Sequence, residues 1–176
     1  EDKALDLFAE MMIEKIESIN EDWRKPWFTE GALQWPRNLS GREYNGMNAF
    51  MLMLHCEKEG YKIPRFCTFD CVQRMNKPGK DGQELPRVSV LRGEKSFPVM
   101  LTTFTCIHKE TKEKIKYDDY KNISEDEKKE YNVYPRMQVF RVFNVQQTNL
   151  REARPELWEK LEMENGRPEV KAGEQF

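Results

Sequence analysis

Leu5, Phe8, Met12, Ile16 and Ile19 recur at helical spacing, with Glu10, Glu14 and Glu17 elsewhere on the cylinder. Residues 3–19 therefore predict an amphipathic helix. Pro26 and Gly31 end the helical pattern, and Pro36 restricts Trp35 to an extended backbone. Residues 23–44 thus read as an irregular, proline-bounded loop, a common carrier of function on a rigid scaffold. From about Met47 to Glu59 the chain is apolar nearly all round, through Phe50, Met51, Leu52, Met53 and Leu54. That predicts a buried central helix, with Asn45 or Asn48 capping its start and Gly60 terminating it. Residues 61–67 are extended around Pro64, and Thr68 suits the N-cap of a short helix ending near Met75.

Residues 76–87 carry loop signals throughout. Val88–Leu91 and Phe97–Ile107 read as strands, Lys114–Tyr117 as a short return strand, and Met137–Val145 as the strongest strand, dense in Val and Phe. Ser124 and Glu127 form a capping box for a short helix reaching about Tyr131. Pro155 suits the first turn of a final helix through Leu161. The polar stretch 164–176 reads as a flexible tail or a linker to a further domain. Short connections favour antiparallel pairing. The expectation is one α+β domain over residues 1–163, its N-terminal helices packed on one face of a small, mainly antiparallel sheet of three to four strands.

Charge changes this picture. The chain of 176 residues has a formal net charge of −2, unpromising for nucleic acid as a total. Its distribution is better: residues 1–22 hold two Lys/Arg against eight Asp/Glu, residues 23–95 thirteen against eight, and residues 133–149 hold Arg136 and Arg141 with no acid. Basic charge concentrates where the aromatics are. Trp23, Trp27 and Trp35 are threaded with Arg24, Lys25, Arg37, Asn38, Arg42 and Tyr44. Rings among cations and amides can hold single-stranded nucleic acid by stacking and phosphate contact. The same rings can equally anchor a core. Trp23, closing the first helix, fits the core reading better. Nothing in the sequence has the length and apolarity of a membrane span.

Chemistry is sparse. Neither histidine, His55 or His108, lies in an H-E-x-x-H motif, and no phosphate-binding glycine loop or nucleophile elbow occurs. Cys67 and Cys71 with His55 and Cys56 match no compact zinc knuckle or ribbon. The four cysteines read as reduced, buried thiols of a cytoplasmic protein. The sequence calls for no cofactor, metal or catalytic group.

The ordered strings W-R-K-P-W, W-P-R-N, G-R-E-Y-N-G-M-N, Y-K-I-P-R-F-C-T-F, R-G-E-K-S-F-P-V and V-F-N-V-Q-Q-T, from Trp23 to Thr148, resemble the N-terminal domain of ArdC-type antirestriction proteins. The resemblance implies a single-stranded DNA-binding module of plasmids and conjugative transposons. In ArdC-type proteins it precedes a zinc metalloprotease-like domain, which this chain does not contain. Two departures stand out: Cys71 occupies a position that is often glutamine in the family, and Asn76–Arg87, with Lys77, Lys80 and Arg87, reads as an insertion. On this resemblance Trp27, Trp35, Tyr44 and Phe66 are candidates for stacking. Arg24, Lys25, Arg37, Arg42, Arg65 and Lys95 are candidates for phosphate contact. Asn38, Asn48, Asn144 and Gln146 would bond backbone or base edges, or else brace the loops. An alternative reading is a protein-interaction module, its acidic first helix engaging a restriction or conjugation protein. Another is an accessory domain for a metalloprotease-like partner domain.

Overall fold

A computed structural model describes residues 2–20, 34–78, 82 and 84–166. Helix α1 spans Asp2–Asn20. Its buried stripe is Ala4, Phe8 and Met11, while Leu5 and Ile16 are exposed. The helix carries more apolar positions than one face needs. Phe8 settles the rotation by stacking on Phe97, with ring centroids 6.0 Å apart.

Helix α2, Gly46–Glu59, buries Ala49, Met51, Leu52, Leu54 and Cys56. Gly60 ends it in a left-handed conformation (φ 74°), its N–H donating to the Cys56 carbonyl. Asn45 is the N-cap residue but makes no side-chain capping bond. Strand β1 is Arg37–Asn38, β2 Arg65–Thr68, and α3 Phe69–Met75 follows with the Thr68 hydroxyl accepting from the Cys71 N–H. Residues 88–91 make one bridge, Val90 to Thr148, in place of the expected strand. Beyond them come β3 (Phe97–His108), β4 (Lys114–Ile115), α4 (Tyr117–Asn122), α5 (Glu125–Lys128) and β5 (Tyr131–Asn144). The Ser124–Glu127 capping box is present. A 3-10 turn at Val145–Gln147 leads to α6 (Leu150–Ala153) and α7 (Pro155–Asn165). The last helix outruns the expected Leu161, because Glu164 and Asn165 are tied to Arg65 and to the Lys62 carbonyl.

The sheet has five strands in the order β1-β2-β5-β3-β4, two of them two residues long, and β1–β2 is its parallel pair. Pairing of Phe97 with Val142, Val99 with Phe140 and Phe66 with Asn144 puts these side chains on one face. There Phe66, Phe97, Val99 and Val142 join Phe8, Met51 and Leu52 in a core under α1 and α2. A second core gathers Cys67, Val72, Val145, Leu150 and Leu161, with Phe143 packed against it, under α3, α6 and α7. Helices therefore cover both faces rather than one. Two separate runs of apolar residues after Val142 and Thr68 supply the second layer.

Beyond Val99 and Phe140, β3 and β5 continue as a two-stranded ribbon to His108 and Tyr131. At its far end Tyr117 stacks on Phe104 at 4.6 Å, and Tyr131 packs edge-on against Tyr120 and His108. Among the described residues no helix is long and apolar enough to cross a membrane.

Candidate nucleic-acid interface

The site starts from a tight loop. Strand β1 pairs with β2, and the chain reverses so that Arg37 and Glu43 face each other in a single bridge. The Asn38 side-chain oxygen accepts from the Ser40 hydroxyl at 2.7 Å and from the Arg42 N–H at 3.0 Å. Gly41, at φ 92°, makes the reversal that a side chain would strain. The Trp35 indole N–H donates to the Tyr44 carbonyl at 2.6 Å, closing the loop at its base. The Tyr44 ring lies edge-on to Phe66, centroids 6.2 Å apart, and burial pushes its phenol up to about 12.

This loop, the start of α2, helix α3 and the sheet enclose a cleft of about 740 Å³. Tyr44, Leu39, Cys71, Leu101 and Phe140 give it an apolar floor, and Arg42 and Arg74 stand among its lining residues. Both arginines are exposed, and among the described residues neither forms an ion pair. Glu43, an acid of the lining, is held by Arg37 at 2.8 Å.

The structure sorts the sequence candidates. Arg24, Lys25 and Trp27 lie outside the described residues, as does Trp23. Arg42 and Tyr44 meet at the cleft, joined by Asn38 and Asn48. Trp35 is 37% exposed, bonded through its indole to the Tyr44 carbonyl, and outside the lining. Phe66 touches the cleft but is fully buried, so its ring has no face open to a base here. Arg37 is engaged with Glu43. Arg65 bonds the Asn38 carbonyl and pairs with Glu164 at 2.6 Å, its side chain 12% exposed. Lys95 is exposed, away from the cleft, and its carbonyl accepts from Gln147.

The amides act as braces. Asn48 donates to the Met100 carbonyl at 2.7 Å and accepts from the Met100 N–H at 2.9 Å. Asn144, fully buried, donates to the Ile63 carbonyl and accepts from the Gln146 N–H. Gln146 accepts from the N–H groups of Lys62 and Ile63. The V-F-N-V-Q-Q-T string thus ties the strand end to residues 62–63 and, through Gln147, to residues 94–95. The base of the 76–87 stretch is similarly tied, Asn76 bonding both the N–H and the carbonyl of Val88.

Reading the sequence missed Arg74, Leu101 and Phe140. The alternation of β3 and β5 holds the signal: Leu101 and Phe140 share the face of Val99 but lie at the margin of the helical layer. Among the described residues no group of three His, Cys, Asp or Glu is arranged to hold a metal.

A helix-walled sheet face with an apolar floor, and two arginines that form no ion pair among the described residues, defines an α+β domain built around an open, cationic cleft. The family described as the N-terminal domain of anti-restriction factor ArdC matches residues 2–143, and the chain belongs to it. Two solved structures of the antirestriction protein ArdC from plasmid R388 are similar. The metal-free one is 23% identical, with TM-score 0.49, over 82% of this chain and 42% of that one. The Mn(II)-bound one is 23% identical, with TM-score 0.46, over 81% and 40%. This chain spans less than half the length of those proteins. No curated protein matches the sequence.

Proposed function

We propose that this antirestriction-family domain holds single-stranded DNA with little sequence preference. It serves a plasmid or conjugative-transposon protein in the cytoplasm as a binding module without catalytic groups of its own. The observation that carries the reading is the cleft: an apolar floor with the rings of Tyr44 and Phe140, beside Arg42 and Arg74, which have no carboxylate partner among the described residues. Bases stacked on such a floor gain roughly 1–3 kcal/mol each, and guanidinium groups meet phosphates. Tolerance of sequence follows from Asn38 and Asn48, whose side-chain oxygens accept from the protein's own N–H groups, while the Asn48 amide nitrogen donates to the Met100 carbonyl.

The test is fluorescence anisotropy with labelled oligothymidylate at two salt concentrations. Arg42→Ala and Arg74→Ala should each weaken binding and reduce the salt slope by about 0.7 per lost phosphate contact. No binding at low salt, or an affinity indifferent to salt, refutes the proposal. A second reading rests on α1, where Asp6, Glu10 and Glu17 are exposed. That acidic surface suits a basic patch on a restriction or conjugation protein. Charge reversal at Glu10 and Glu17 would then abolish partner capture while Arg42→Ala spared it.

A further inference from the structure

Along the middle of its length the ribbon formed by β3 and β5 has no further strand beside it among the described residues. Strand β2 pairs with β5 over Val142–Asn144, and β4 pairs with β3 over Cys106–Ile107. Between these limits the two strands pair with each other along residues 101–105 and 134–138. A two-stranded ribbon gains little from its own pairing, and apolar rings left on it call for an occupant. The register places Leu101, Thr103 and Thr105 with Phe140, Gln138, Arg136 and Tyr134 on one face. That is the face that floors the cleft through Leu101 and Phe140. Tyr134 is 52% exposed, and Arg136 is exposed with no ion pair among the described residues. No acid stands on this face of the ribbon from Leu101 to Thr105 or from Tyr134 to Phe140.

We propose that the ribbon is the second half of the binding site. A strand seated between Tyr44 and Phe140 runs outward along this face, placing a base on Tyr134 and a phosphate against Arg136. The occupant is single-stranded nucleic acid because the face combines rings, a cation without an ion pair among the described residues, and no acid along the ribbon. From Phe140 to Tyr134 the path is about 20 Å at 3.4 Å per residue, room for up to about six stacked nucleotides. The domain then grips a segment longer than the cleft alone accepts, and its affinity rises with oligonucleotide length. This inference rests on the DNA-binding reading above.

The experiment compares oligothymidylates of four and twelve nucleotides on the wild type, Tyr134→Ala and Arg136→Ala. Both variants change exposed side chains, and circular dichroism checks that they fold. The wild type should bind the twelve-mer at least tenfold more tightly than the four-mer. Each variant should lose roughly tenfold on the twelve-mer and little on the four-mer, and Arg136→Ala should lower the twelve-mer salt slope by about 0.7. If the wild type binds neither oligonucleotide, the DNA-binding reading falls and this one with it. If it binds the twelve-mer and both variants match it, the ribbon inference alone is overturned. It is equally overturned if the wild type sediments as a dimer that Tyr134→Ala converts to a monomer, since the ribbon would then be a contact between copies.

Discussion

Replacing Asn144 with alanine separates bracing from DNA contact. Asn144 is fully buried, and its amide makes two bonds: to the Ile63 carbonyl at 2.8 Å and from the Gln146 N–H at 2.9 Å. Alanine strands both backbone groups. A buried group left without its partner costs about 1–3 kcal/mol, so the pair should cost roughly 2–6 kcal/mol. Against a typical domain stability of about 5–15 kcal/mol, that is a large fraction. Urea denaturation should show a much lower midpoint with an unchanged slope. Oligothymidylate affinity, measured at low temperature on protein shown to be folded, should stay within a factor of about two. A loss below about 0.5 kcal/mol of stability, accompanied by a tenfold loss of affinity, would refute the reasoning and return Asn144 to the DNA.

Two further outcomes can be checked with the same denaturation assay. His55 stacks on Phe97 at 4.2 Å and meets Tyr61 edge-on, its Nε2 is buried without a partner among the described residues, and burial, with Lys58 adding, lowers its pKa to about 4. The folded state therefore holds it neutral. Its contribution is complete above the unfolded value near 6.5 and is lost as pH falls from there towards 4, up to about 2 kcal/mol between pH 7 and pH 5. His55→Phe should remove that slope, and an identical pH profile in the variant would count against the assignment. Thr68→Ala removes the hydroxyl that caps α3 and should cost about 1 kcal/mol, and a loss under a few tenths would show the cap to be idle.

Local signals were legible. Gly60, Thr68, the Ser124–Glu127 pair and Pro155 each act on groups within four positions, and each marks a helix end in the structure. Long-range geometry was not. Asn144 finds its partner 81 positions away and Asn48 finds Met100 52 positions away, so nothing near them in the sequence separates a brace from a ligand contact. Phe66 reads as a ring among basic residues, yet pairing with β5 turns it into the core. The rotation of α1 was equally open, since its buried stripe is chosen by Phe97, far along the chain.

Asn48 has one more consequence. By offering both a donor and an acceptor to Met100, its side chain behaves like a single residue of a neighbouring strand. Among the described residues strand β3 has no partner strand on that side at this point, because β4 begins to pair at Cys106. The amide therefore ends the row of exposed backbone groups at the root of the ribbon. An intruding strand seeking to zip along β3 into the core meets a lock there. Any recruitment of another chain by this edge is confined to the outer ribbon, away from the layer that holds the fold together.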